Sequence, residues 1–318
     1  MGKASRTKQD PDRRARIAAQ RAAEKRRQQR NRIYIAGGSI FAVVIVVVVF
    51  VLVGTNHSNS SSSGSTPVGP TGAALTSVVN QVTSVPAATL DKVGSGGSAV
   101  NNGSPPIITL KGGAPLTSGG KPEMVYMGAE YCPYCAAERW GMIVALSRFG
   151  TFTGLQTTHS AAADGAGHAE PNPNTPTWTF ANSKFTSKYL TFAPVELETN
   201  IPDKSNGGYT NLQTPTSAEQ ALINKWDAPP YTPQGDNGSI PFIDFGNKYL
   251  SVGASYNPAV LSGLTWSQIA TDLHSPSTPV AKSVLGAANY LTAAICGLTN
   301  DQPATACTAT VKSLRAKI

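Results

Sequence analysis

Hydrophobic positions fall along the chain in two quite different regimes. The first is continuous. Ile33–Val53 is 21 residues without a charge, eight of them Val and four Ile. A strand of that length is not credible, whereas a helix rising 1.5 Å per residue covers roughly 30 Å, the thickness of a bilayer core. Lipid favours the helix, because every backbone polar group must be satisfied within the segment. The run therefore predicts a transmembrane helix over 33–53. A cleaved signal peptide has a shorter apolar region behind a short basic start. Here 32 residues precede the run and Gly54-Thr55-Asn56-His57 follows it.

The second regime is periodic and broken by turn residues. Residues 54–72 are a Ser/Gly/Asn-rich flexible linker that includes His57, read as solvated. Beyond them, Leu75, Val78, Val79 and Val82 form a helical stripe that Pro86 stops. A Gly/Ser/Asn stretch then runs to Pro106. Ile107–Leu110 reads as a short strand, residues 112–122 as a turn region, and Met124–Gly128 as a buried strand. Residues 136–149 form a helix that is apolar on more than one face, as in a covered helix, and ends at Gly150. Residues 151–160, Thr177–Phe180 and Tyr189–Leu197 read as strands, and 161–176 as loop. Ser217–Asp227 is a short helix capped by Thr216 or Ser217. Phe242–Phe245 and Tyr249–Val252 flank Gly246-Asn247, a hairpin signal. Helices are predicted over Trp266–Leu273, Pro279–Ile295 and Ala309–Ile318.

Charge changes the picture only at one end. The formal charge is +8, but residues 1–32 hold 12 of the 26 Lys and Arg and 3 of the 18 acids. The rest of the chain carries 14 basic and 15 acidic groups, so the body is neutral and has no general attraction for a phosphate backbone. No aromatic precedes Tyr34 to stack on bases, so the tail is read as a topology signal at anionic headgroups, with no nucleic-acid partner. Arg30 and Arg32 lie directly before the span, and the first basic residue after it is Lys92. The positive-inside rule places the N-terminus in the cytoplasm and the remainder outside.

Four cysteines form two pairs. Cys132-Pro133-Tyr134-Cys135 stands between a strand and a helix. Haem attachment would need His at 136, where Ala stands. Zinc would need four ligands, and the histidines are scattered at 57, 159, 168 and 274. Thiol–disulfide exchange needs an exposed, acidified thiolate with a second thiol in reach. A cysteine in the first turn of a helix meets free N–H groups and the positive end of the dipole, and Pro133 suits that turn because its missing N–H would go unpaired anyway. An inert structural disulfide is the other reading of this pair. Cys296 and Cys307 flank a polar turn-rich loop, and outside the cytoplasm they are expected to form a structural disulfide.

From Met124 onward the order is strand, Cys-x-x-Cys, helix, distant Ile240-Pro241, hairpin and closing helix. This order resembles the thioredoxin superfamily. More narrowly, AEYCPYCAAERW, the Val85-Pro86 to Leu90 segment and the late Cys pair look like the membrane-anchored thioredoxin-like family filed as domain of unknown function 929, over most of residues 75–312. The resemblance implies an α/β fold, a thioredoxin-like mixed sheet flanked by helices. Residues 73–318 would form the extracytoplasmic domain, and 161–238 a long insertion between the Cys-x-x-Cys helix and the cis-proline strand. It implies Cys132 and Cys135 as the catalytic pair, Ile240 and Pro241 as the client-docking segment, and Pro133, Tyr134 and Glu130 in support. No metal or organic cofactor is implied. The sixth position before the first cysteine, where such proteins bury an acid, is Tyr126 here. Glu130 or Glu138 can stand in, although Glu138 otherwise reads as a solvated helix residue. The resulting expectation is a membrane-tethered thiol–disulfide oxidoreductase acting on client proteins with thiols or disulfides and reset by a quinone-linked membrane partner. A non-catalytic envelope domain for protein binding, with both Cys pairs structural, is the alternative.

The charge asymmetry generates a direct test. Protease added to spheroplasts is expected to remove residues beyond Thr55 and to leave the basic tail protected. Protection of the C-terminal region would overturn the assigned compartment.

Overall fold

The computed structural model describes residues 69–164, 169–205, 207–234 and 238–318. The basic tail, the transmembrane helix expected over 33–53, most of the linker, His57 and His168 lie outside them. Among the described residues, no helix is long and apolar enough to cross a membrane.

The architecture is mixed α/β, organised around strand β3 (Lys121–Gly128). Along it run β8 (Thr191–Glu196), parallel, and β11 (Phe242–Phe245), antiparallel. Strand β12 (Tyr249–Val252) pairs with β11, and β1 (Ile108–Thr109) pairs with β12. A short β2 (Thr117–Ser118) folds back on the start of β3.

Alternation along these strands divides the core in two, because successive side chains point to opposite faces. Met124 and Tyr126 of β3, with Ile243, Phe245 and Tyr249, join the larger cluster. There they meet α1 (Gly72–Thr83), α3 (Pro133–Ser147), α5 (Trp266–Asp272) and α6 (Pro279–Leu298). Met127, Phe242 and Leu250 point the other way, onto Ile223 and Trp226 of α4 (Ser217–Trp226). Both faces of the sheet are therefore covered, which is why β3 is buried from Met124 to Gly128 instead of alternating with solvent.

The remaining strands form two-stranded pieces beside the main sheet. Residues 151–160 are not one strand. They break at Gly154, in the left-handed region at φ +74°, into β4 (Gly150–Thr153) and β5 (Gln156–His159). These pair with β7 (Lys184–Ser187) and β6 (Pro176–Thr179) respectively. β9 (Glu198–Asp203) and β10 (Gly208–Asn211) form a hairpin directly after β8. Residues 161–238, expected as an insertion, thus contribute β8 to the main sheet as well as peripheral pieces.

Local chemistry fixes the ends. α4 carries a capping box, with Thr216 Oγ1 accepting from Glu219 N–H at 3.2 Å and Glu219 accepting from Thr216 N–H at 2.7 Å. The β11–β12 turn places Gly246 and Asn247 at φ +64° and +57°, closed by Lys248 N–H to the Phe245 carbonyl at 3.0 Å. One helix was not anticipated. The stretch after Pro86, expected as loop, begins with α2 (Ala87–Val93). Its seven residues are too few to be stable alone. Buried Asn289 on α6 donates to the carbonyls of Leu90 and Gly94, each at 2.8 Å, and Leu90 enters the main core.

The chain closes with α7 (Ala309–Arg315), held to α6 by the disulfide Cys296–Cys307, whose Cα atoms are 5.8 Å apart. Closing a loop of this length contributes about 3 kcal/mol on the chain-entropy account. Replacing both cysteines with Ala is expected to lower unfolding free energy by about that amount in urea titrations. Peptide mapping under non-reducing conditions should pair Cys296 with Cys307, and a pairing of either with Cys132 or Cys135 would overturn the assignment.

Candidate active site

Strand β3 delivers the chain to Gly128, and four residues later Cys132 caps α3. Cys132 sits at φ −74°, ψ 118°, just outside the helix, and Pro133 takes the first helical position. Its Sγ accepts a hydrogen bond from the Cys135 N–H at 3.2 Å, the place a Ser or Asp oxygen usually takes at a helix start. A sulfur there neutralises one of the orphan donors and faces the positive end of the helix.

The second approach comes from 108 positions away. The register Phe242↔Met127 runs β11 back alongside β3, so that Ile240-Pro241, a cis peptide, arrives at the cysteines. The Ile240 carbonyl oxygen lies 3.9 Å from Cys132 Sγ. The Pro241 carbonyl is held from behind by the Gly253 N–H at 2.8 Å. Ala129, Cys132 and Cys135 form a small apolar cluster with Tyr131, Leu197 and Ile240 against it.

The two thiols are not equivalent. Cys132 keeps 5 % of its surface exposed and Cys135 none. That is far less than an open thiolate, while Tyr134 within the motif is 41 % exposed. Burial opposes ionisation of Cys132. The hydrogen bond with the Cys135 thiol, the Cys135 N–H, the Arg139 charge and the Tyr134 N–H outweigh it, and its pKa falls below the ordinary thiol value. Burial pushes the Cys135 thiol well up, and its hydrogen bond to Cys132 and the Cys132 charge push in the same direction.

Behind the pair lies a buried ion pair that the motif reading passed over. Arg139 Nε and Nη2 donate to the two carboxylate oxygens of Glu196 at 2.9 and 2.5 Å, both side chains having no exposure. Arg139 Nη2 also donates to the Ala129 carbonyl at 2.7 Å, and Glu196 accepts from the Phe180 N–H at 3.1 Å. The signal was present in the sequence. Glu138 and Arg139 are adjacent charges in a helix that is apolar on more than one face, a pattern that marks them as candidates for burial. Glu196 gave no such sign, since it ends an ordinary strand.

Glu138 is not the solvated residue its charge suggested. It is fully buried and accepts from Ser255 N–H and Oγ–H, each at 2.8 Å. Burial raises its carboxyl to about 7. Tyr126, at the position where an acid was sought, is fully buried with its hydroxyl against Gly128. A Cβ on Gly128 would stand 2.0 Å from its hydroxyl, so only Gly fits there. Glu130 is half-buried and its carboxyl is raised by burial, against a hydrogen bond from Thr179. Tyr131 stacks on Tyr209 at 4.4 Å between centroids, and the Tyr209 hydroxyl donates to Glu170 at 2.5 Å.

Among the described residues, the one trio close enough to share a metal is Cys296, Asp301 and Cys307. Both its sulfurs are spent in the disulfide, and Asp301 is bonded to Arg315. That trio does not fit a metal.

The model of a family described as a domain of unknown function, DUF929, matches residues 111–297. The chain belongs to this family. No curated protein and no solved structure matches the chain. The DUF929 match spans both site cysteines, the Arg139–Glu196 pair, Ile240-Pro241 and the first disulfide cysteine.

The buried Glu138 of this DUF929 domain makes stability depend on pH with a definite sign. Its folded pKa lies above the unfolded value, so the folded state holds the proton longer and stability falls as pH rises from about 4.5 to about 7. Glu138→Gln is expected to remove that decline, so that the variant gains on the wild type across this window and not above it. Urea unfolding at a series of pH values measures the difference. Parallel curves would show that the carboxyl titrates normally.

Proposed function

We propose that this protein is a membrane-tethered, extracytoplasmic thiol–disulfide oxidoreductase built on a thioredoxin-like core. The observation that carries the reading is Cys132 as the cap of α3, its sulfur held by the Cys135 N–H at 3.2 Å and beside the Ile240 carbonyl. Sheet order supports the fold assignment. A strand leading into Cys-x-x-Cys has a parallel neighbour on one side and, on the other, an antiparallel strand entered through a cis proline. The tether follows from the apolar run 33–53 and the charge before it.

In this reading Cys132 is the nucleophile and Cys135 resolves. A thiolate at Cys132 attacks one sulfur of a client disulfide and expels the other client sulfur as thiolate, leaving a mixed disulfide. Cys135, once deprotonated, attacks Cys132 Sγ and releases the client as a dithiol. Run backwards, the same steps oxidise a client dithiol. The asymmetry of the two thiols supports this division. The chain's apolar span brings the domain to the membrane, where a quinone-linked partner would return the pair to its starting oxidation state. Ile240, with its carbonyl beside Cys132, is the backbone against which an extended client segment pairs, and Tyr134, exposed within the motif, is available to that segment.

Cys135→Ala is expected to accumulate mixed disulfides with client proteins, visible on non-reducing gels and lost on reduction, while Cys132→Ala accumulates none. Trapping by Cys132→Ala alone would reverse the roles. Absence of trapping by either, with no insulin-disulfide cleavage by the wild type, would favour a non-catalytic binding domain.

A further inference from the structure

Arg139 lies one helical turn after Cys135 and so on the same side of α3. Its guanidinium touches the carbonyl of Ala129, the residue packed against both cysteines. Glu196 engages Nε and Nη2, but Nη1 is buried with no hydrogen-bond partner among the described residues. Other titratable groups surround the pair. They are Tyr126 on β3, Glu130 and Tyr131 in the loop, Glu196 on β8, Glu198 on β9, and Glu170 beyond Tyr209. Ile240-Pro241 brings none. Burial raises the carboxyls of Glu130 and Glu198, and Glu196 is turned onto Arg139. The guanidinium, one turn beyond Cys135 and bonded to the Ala129 carbonyl, is thus the buried positive charge nearest the site in this helix, and the Cys135 N–H holds the Cys132 sulfur at 3.2 Å.

We infer that Arg139 sets the direction of exchange: its buried positive charge stabilises the reduced, thiolate form of the Cys132–Cys135 pair, so that the oxidised site gives its disulfide away to client thiols. The inference rests on the oxidoreductase reading above and adds the direction to it. A pair whose reduced form is stabilised is a stronger oxidant. A client thiolate attacks Cys132 Sγ, the Cys132–Cys135 bond breaks, and Cys135 leaves and takes up a proton. The client's second thiolate then attacks the client sulfur of the mixed disulfide and frees Cys132 as thiolate. The client loses two electrons and the site gains them. A disulfide or quinone-class oxidant restores the site. Arg139 is a positioning residue here, since it acts through the cysteines.

The test uses the full chain in detergent, equilibrated with glutathione, and thiolate absorbance at about 240 nm across a pH titration as the signature of ionised sulfur. In the wild type, millimolar reduced glutathione should reduce the Cys132–Cys135 disulfide, and thiolate should form below the ordinary thiol range. Replacing both buried charges by amides, Arg139→Gln with Glu196→Gln, should raise the thiolate midpoint. It should also shift the glutathione equilibrium toward the protein disulfide by about tenfold, equivalent to about 30 mV. Glu196→Gln alone should move both readouts the opposite way. A folded double variant with the wild-type midpoint, or a single variant that moves in the same direction as the double, would overturn the inference. Where neither variant folds, the wild type decides: a disulfide that glutathione leaves intact refutes the direction. If that protein, once reduced by dithiothreitol, still cleaves insulin disulfides, the oxidoreductase reading stands and only Arg139's role falls. If it exchanges with neither, both fall.

Discussion

Helix α3 is buried from Cys135 to Leu146, so its polar side chains are partnered inside the protein, with Arg139 Nη1 left over. Glu138 is answered by Ser255, Arg139 by Glu196 and Ala129, and the Trp140 Nε1–H by the Pro176 carbonyl at 2.9 Å. These bonds reach different parts of the chain: the segment after β12, the end of β8, the loop before the helix, and the start of β6. A buried charge that loses its partner costs roughly 3–5 kcal/mol, which is a large part of a domain's stability. The helix therefore fixes the elements around it as firmly as they fix it.

The same burial shapes the chemistry. Cys135, Arg139 and Glu196 are fully buried, so their charges act at a low effective dielectric and small displacements matter. The Cys135 N–H in the first turn of α3 takes the Cys132 sulfur as its acceptor. One thiol is favoured as an anion and the other is held neutral one turn away, by the environment of a single helix end. Glu138 and Arg139 are neighbours in sequence but point to different partners, so one carboxyl is left to carry its proton toward neutral pH while the other charge is locked in a pair.

Around this helix the sheet supplies position. β3 places the cysteines, β11 returns in register so that Ile240 meets Cys132, and β8 ends where Glu196 meets Arg139. Glu196 faces Gly128 in the β3–β8 register, one residue from the Ala129 carbonyl that Arg139 also binds. The hairpin that continues from β8 then covers Tyr131 with Tyr209. Three sequence-distant segments thus converge on one helix N-terminus.

Much of this was legible in the sequence because it rests on short-range pattern. The strand into Cys132, the helix after it, the Gly246-Asn247 hairpin and the late helices follow from periodicity and turn chemistry, which act within a few residues. The family resemblance and the Cys-x-x-Cys spacing pointed to Cys132 and Cys135. What the sequence alone left open was decided by packing. Helix α2 exists because Asn289, about two hundred residues later, satisfies its last carbonyls. The stretch read as an insertion provides β8 because a parallel neighbour for β3 must come from a distant segment. Glu138 looked solvated because a charge favours water unless a tertiary partner replaces it, and Ser255 does. Glu196 became the partner of Arg139 only through the register of two strands joined by a long connection. Local preference sets which element forms, but whether a charge is buried, and what answers it, depends on contacts that exist only once the chain has folded.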